Sequence, residues 1–269
     1  MEAMLSFSLR KAMRQAEAEL LARGRWCQLM LEPANPMYRA MDLVSRHLSW
    51  QSEFCKACVR MGYLAPEQME RAARRYRLGI NRHGAVIFWQ IGLQGQVYDG
   101  KIMYYKQDCH RDHERKTTWV RAVMKRFYGC EADISCGHGL FGGHLLGLTD
   151  DFATLKATHC QQMPVAVVES EKTAVIMSEL YPEYLWLATG GLSELTPQKL
   201  FVLRGRKVVI FPDTDPDGNA FGAWFGIVRK AEWLMGQKLF VSPLLEQHAT
   251  KEQKERKIDV ADFYFERRH

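Results

Sequence analysis

From residue 164 onward the sequence alternates short apolar runs with helix-length stretches, and that alternation limits the possible folds more than any other feature of the chain. VAVVE at 165–169 reads as a buried strand, EKTAVIMSEL at 171–180 as a helix, and YLWLATGG at 184–191 as a strand ending in glycines. A short helix at 196–203, capped by Leu195 or Thr196, leads to the strand KVVIF at 207–211. A helix at 220–235, the strand-like KLFVSPL at 238–244 and a closing DVADFYFERR complete the series. Parallel strands need crossovers of a dozen or more residues, usually helical, whereas antiparallel ones are joined by tight turns. This half therefore predicts an α/β unit whose parallel sheet is covered on both faces. In such sheets, sites form outside the carboxyl ends of the strands.

The first half reads differently. Residues 1–80 predict helices: an amphipathic N-terminal segment, a break at EPANP (32–36), then MYRAMDLVSRHLSW and a helix from Pro66 that stops near Gly79. GAVIFWQIGLQGQVYDGKIMYYK predicts a β-hairpin from runs at 85–91 and 96–105. DCHRDHERK at 108–116 reads as a loop, 117–127 as a helix, and ISCGHGLFGGHLLGL, with five glycines between 137 and 147, as a flexible junction. The expected division is a basic α+β domain at 1–150, with a helical start and a hairpin, followed by the α/β domain at 160–269. Charge follows the same division: residues 1–130 hold 22 Lys and Arg against 12 Asp and Glu, whereas 131–269 hold 15 against 19, within a net +6. The basic half is the candidate for a polyanion and the acidic half for a metal, although a solubilising surface would carry the same charges.

No apolar run approaches the roughly 20 residues that span a bilayer, so no membrane partner is expected. The N-terminus lacks the basic head, apolar stretch and cleavage site of a secretory signal, and the expected compartment is the cytoplasm. Seven cysteines, an odd number at irregular spacing, describe no disulfide framework; most are expected to be reduced, and several simply buried.

KVVIFPDTDPDG places Asp213, Asp215 and Asp217 at alternate positions after an apolar run, and the α/β pattern sets Glu169 on the same sheet rim. Carboxylates gathered there repel one another unless protonated or neutralised by a cation, and oxygen-only ligands suit Mg²⁺ or Mn²⁺. An EF-hand would need Glu where Trp224 stands and a preceding helix rather than a strand. A haloacid-type phosphatase would need Thr or Val where Asp217 stands. A Walker B strand would need a phosphate loop that the sequence lacks. A polar turn remains the plain alternative.

With Glu169 included, the pattern resembles a known family. VAVVESEKTA, followed about forty residues later by VVIFPDTDPDG with a glycine-bearing turn between them, is similar to the Toprim domain of bacterial primases, topoisomerases and several nucleases. KIDVADFYF, with Asp259 and Asp262, resembles the acidic helix start that often closes that domain in primases. The resemblance covers roughly residues 160–265, and Ser170 departs from the glycine that usually follows the glutamate. VESEKTAVI, ATGGL, CGHGLFGGHLL and GKIMYYK further resemble an uncharacterised Toprim family of bacterial mobile elements, which often carries an N-terminal zinc ribbon not found here.

The resemblance implies a Toprim-like fold and phosphoryl transfer on nucleic acid, either primer synthesis or phosphodiester hydrolysis, with a non-catalytic nucleic-acid binder as the third reading. It implies Asp213 and Asp215 as Mg²⁺ (or Mn²⁺) ligands, Asp217 at a second metal or behind the first, and Glu169 as general base or shared ligand. Lys172, at a helix start, and the backbone at Gly190 and Gly191 are candidates for a phosphate. Arg74, Arg75, Arg77, Arg82, Lys101, Arg121, Lys125 and Arg126 are candidates for a nucleic-acid track, with Trp89, Tyr104 and Tyr105 able to stack on bases. The implied partners are single-stranded DNA, nucleotides for a primase, and replication or mobile-element proteins. Cys55 and Cys58 have zinc spacing, with Cys109 and His113 as the next pair, but fit helix packing better. Cys130, Cys136, His138 and His144 offer a second set on paper.

Overall fold

The computed structural model describes residues 49–93, 95, 97–128, 139–147 and 163–267. The first 48 residues, all of the expected domain boundary at 147–160 except Gly147, and Cys130, Cys136 and His138 lie outside them. Among the described residues no helix is long and apolar enough to cross a membrane.

Helix α1 (Glu53–Arg60) begins where the Ser52 hydroxyl accepts the Cys55 N–H. Helix α2 (Pro66–Arg75) takes its proline in the first turn, where a missing N–H costs nothing, and Gln68 reaches back to the Ala65 N–H. Strands β1 (Gly79–Ile80), β2 (Val86–Ile91), β3 (Val97–Met103) and β4 (Thr118–Trp119) form an antiparallel sheet in the order β1-β2-β3-β4. The hairpin is the one expected from sequence. Helix α3 (Val120–Tyr128) starts later than the sequence suggests, because Thr118 and Trp119 pair with Ile102 and Lys101 instead.

The second sheet comprises β5 (Val165–Val168), β6 (Leu185–Ala188), β7 (Val208–Ile210) and β8 (Phe240–Val241), all parallel, in the order β6-β5-β7-β8. Helix α4 (Glu171–Leu180) connects β5 to β6; α5 (Pro197–Leu200) precedes β7 and α6 (Asn219–Met235) precedes β8. Helices α7 (Leu244–His248), α8 (Lys251–Glu255) and α9 (Val260–Glu266) close the chain. Alternate residues of each strand enter opposite clusters. Ala166, Val168, Trp186 and Ala188 pack with α4, while Val165, Val167, Leu185, Leu187 and Ile210 pack with Leu200 of α5 and Trp224 and Val228 of α6. The parallel sheet is thus covered on both faces, as its unbroken apolar strands require.

The first of those clusters does not stop at the parallel sheet. It continues through Phe54 and Cys58 of α1, Ala72 and Ala73 of α2, Tyr76, and Val86 and Phe88 of β2. The Tyr76 hydroxyl donates to the Trp186 carbonyl at 2.8 Å, and Arg71 and Arg75 of α2 pair with Glu179 of α4 at 2.8 and 2.9 Å.

Residues 140–146 are packed, in contrast to the flexible junction expected from their glycines. Leu140, Phe141, His144 and Leu146 are buried, and the Phe141 backbone exchanges both hydrogen bonds with Ala188 at the edge of β6. Gly142, at φ +81°, leaves no room for a side chain: a Cβ would lie 3.0–3.2 Å from the Tyr76 ring, Leu187 and the Trp186 carbonyl. The glycines serve close approach here, a use that turn statistics do not separate from looseness.

Candidate active site at the ends of β5 and β7

In an open parallel sheet the strand order reverses at one point, and a crevice opens there beyond the carboxyl ends of the two strands concerned. With the order β6-β5-β7-β8, that point lies between β5 and β7. Glu169 directly follows β5, and Asp213 stands three residues beyond β7. The topology brings these two carboxylates together although they lie 44 positions apart in sequence.

Asp213 is half-buried, and its carboxylate has no hydrogen-bond donor among the described residues. Burial, then the charges of Asp259, Glu169 and Asp262, push its carboxyl well above the ordinary range, with Lys172 acting in the opposite sense. Burial also raises Glu169, whose carboxylate accepts the Leu192 N–H and feels Asp259 and Glu171 against Lys101. Asp262 is raised by burial and by Asp259, with Lys172 and the Asp259 N–H opposing.

Asp259 caps α9, its Oδ1 accepting the N–H groups of Ala261 and Asp262 at 2.8 and 2.9 Å while Thr173 donates to Oδ2. Lys172 lies 3.5 Å from Asp262 and 3.9 Å from Asp259. Burial works against its charge, but the two aspartates outweigh burial and hold its pKa above the usual lysine value. The sequence suggested Lys172 for a phosphate; in the structure it neutralises part of an acidic group. Lys172 sets one positive charge against the four carboxyl groups of Glu169, Asp213, Asp259 and Asp262.

Asp215 takes a different role from the one its position in a D-x-D string suggests. Gly218, at the N-cap of α6, has no side chain to offer, and Asp215 accepts the N–H groups of Asp217, Asn219 and Ala220 at 3.0, 3.1 and 2.6 Å. Burial raises its carboxyl, but these three donors together with Lys257 outweigh burial and hold it below the ordinary value. Asp217 is exposed.

Four residues that sequence reasoning did not assign to the rim are built into it: Lys101, Glu171, Asp259 and Asp262. Lys101, from β3 of the other sheet, places its Nζ 3.1 Å from both oxygens of buried Glu171 and 2.8 Å from the Gly190 carbonyl. Gly190, at φ +93°, is the position where a Cβ would meet the Glu171 carboxylate at 3.2 Å. Lys101 was a nucleic-acid candidate, but it is engaged here, holding the Gly190–Gly191 turn beside Glu169. Nothing local in the sequence signals a pair 70 positions apart. Asp259 and Asp262 were legible as a helix start in KIDVADFYF, though not as neighbours of Asp213.

The other basic candidates divide. Arg74 pairs with Glu70, Arg75 with Glu179 and Ser178, and Arg121 with Asp99. Arg77, Arg82, Lys125 and Arg126 are exposed. Trp89 and Tyr105 are core residues, unable to stack on a base, and half-buried Tyr104 carries the Arg115 guanidinium over its ring at 3.4 Å. His144 donates through Nε2 to the Arg75 carbonyl at 2.9 Å, and burial lowers its pKa to about 4.

As the side chains stand, no three His, Cys, Asp or Glu residues among those described close on a common point for a metal ion. The chemistry of the rim nevertheless fits a hard dication. Its donors are carboxylate oxygens, Asp213 lacks a hydrogen-bond partner among the described residues, and burial, with repulsion between neighbouring acids, raises three of the four.

Residues 53–214, more than half of the chain, match a family described as Domain of unknown function (DUF6371). No curated protein matches the chain significantly.

Proposed function

The chain belongs to the DUF6371 family over a span that contains Lys101, Glu169, Lys172 and Asp213, and on that premise we propose a Mg²⁺-dependent, Toprim-like enzyme of nucleic-acid phosphoryl transfer, acting as a primase. The observation that carries this reading is the unpartnered Asp213 carboxylate set against Glu169, Asp259 and Asp262 at the switch point of the sheet. Asp213 and Glu169 would hold Mg²⁺ (or Mn²⁺), which when bound supplies charge neutralisation at the phosphate oxygens. Glu169, its pKa raised, is suited to take the proton of an attacking hydroxyl. Lys172 limits the repulsion and positions Asp262, while Lys101 fixes the Gly190–Gly191 turn, whose backbone can approach a phosphate. Exposed Arg77, Arg82, Lys125 and Arg126 supply cations for single-stranded DNA, consistent with a role in replication or in a mobile element.

A second reading, a nucleic-acid binder without catalysis, draws support from Asp215, whose oxygens are occupied by backbone N–H groups. A single assay separates the possibilities: labelled single-stranded DNA with nucleotides and Mg²⁺, run with wild type and with Asp213→Asn. Extension products lost in the variant support the primase. Shortened products lost in the variant indicate a nuclease and overturn the primase reading. Retarded DNA with neither product indicates a binder. Losing a metal carboxylate should lower the rate by on the order of 10²-fold or more.

A further inference from the structure

Away from the rim, the described residues gather Cys55 and Cys58 on α1 with Cys109 in the turn after β3, all three buried and reduced. The Sγ atoms of Cys58 and Cys109 lie 3.4 Å apart. A disulfide bond is about 2.0 Å long, so closure requires an approach of about 1.4 Å. Helix α1 is set in the core, but the turn that carries Cys109 is not: its neighbours Gln107, Asp108 and His110 are exposed. Short-range bonds shape it, Cys109 N–H to Lys106 O and Lys106 N–H to His110 O at 3.1 and 2.8 Å and His110 N–H to the Asp108 carboxylate at 3.0 Å, and an exposed bond from the Arg60 guanidinium to the Gln107 carbonyl at 3.3 Å ties it to α1.

Cys109 sits at φ +63°, a left-handed conformation that is unfavourable for a residue with a Cβ. That conformation turns its sulfur inward, onto Cys58. Cys55 has a different neighbour, since the Ser52 hydroxyl donates to its sulfur at 3.1 Å. Cys58 is therefore the partner that the geometry offers Cys109.

We infer that Cys58 and Cys109 form a reversible disulfide by exchange with a low-molecular-weight disulfide of the glutathione class. When the turn opens, the Cys109 thiolate attacks one sulfur of the small disulfide, its S–S bond breaks, and one thiolate leaves. The Cys58 thiolate then attacks the Cys109 sulfur, the mixed disulfide breaks, and the second thiolate leaves. The two protein thiols lose two electrons to the small disulfide, and their two protons end on the two released thiols. Burial pushes the Cys58 thiol well above its ordinary pKa, so reaction waits on local opening rather than proceeding from the closed state. The product ties α1 to the end of β3. Such a dithiol suits a reducing compartment, where disulfides are transient and responsive rather than structural. This inference is independent of the proposed enzymatic activity.

The test uses the full-length reduced protein, incubated under native conditions with millimolar oxidised glutathione, trapped by alkylation and digested without reductant. The expected product is a peptide pair joined through Cys58 and Cys109, abolished by dithiothreitol, with a melting temperature several degrees above that of the reduced protein. Cys109→Ser should lose both the joined pair and the thermal shift. Full alkylation of Cys58 and Cys109, a persistent glutathione adduct on either, or a bond from Cys55 in place of Cys58 would each overturn the inference. The wild-type peptide map decides the matter even if a variant folds poorly.

Discussion

Asp213 shows what the rim costs the fold. Its carboxylate is disfavoured by burial and by three neighbouring acids, so Asp213→Asn should melt above wild type at neutral pH, by roughly 2–4 °C for each kcal/mol of strain relieved. Folding raises this pKa, so the group's contribution is most favourable below the ordinary aspartate value of about 3.9 and is lost as pH rises through the raised value. The advantage of the variant should therefore fade on acidification, and Mg²⁺ should stabilise wild type more than the variant. Thermal melts across this pH range, with and without Mg²⁺, check both; identical curves would mean that Asp213 is fully solvated. His144 has the opposite dependence. Its folded pKa of about 4 lies below the unfolded value near 6.5, so the unfolded chain takes up a proton that the folded chain refuses, and stability should fall as pH drops through that interval. Urea titrations should show this slope in wild type and its loss in His144→Gln.

Among the elements, α4 was legible almost residue for residue, because EKTAVIMSEL carries its own start signal: Ser170 accepts the Lys172 N–H ahead of an apolar run. The strands beside it were equally clear from their short, unbroken apolar runs, VAVV and LWLA. The role of Asp215 was not, since capping and metal binding call on the same oxygens and D-x-D before a helix suits both. Asp215→Ala should cost about 1 kcal/mol through loss of the donors' acceptor at the start of α6, measurable by chemical denaturation. If Asp215 served only a metal, the metal-free protein would show no such loss. The packed segment at 140–146 was misread for a related reason: glycine frequency reports conformational freedom, whereas Gly142 answers to the Tyr76 ring and the Trp186 carbonyl across the core.

At the scale of the molecule, the contacts that join the two sheets were invisible in local patterns, because they pair residues far apart in sequence. Lys101 and Glu171 are the clearest case, with side-chain exposures of 13% and 2%. Lys101→Ala strands a buried carboxylate and should cost about 3–5 kcal/mol, and adding Glu171→Gln should restore much of it. A denaturation double-mutant cycle measures the coupling, and additive losses would show the pair to be independent. The core that runs from α1 and α2 into the parallel sheet has a further consequence for the order of events during synthesis. The helices that cover α4 leave the ribosome well before α4 itself, and they cannot complete their packing until β6 has emerged. The nascent chain must carry exposed apolar surface across that interval, so slow elongation between α2 and β6 should increase its dependence on chaperones.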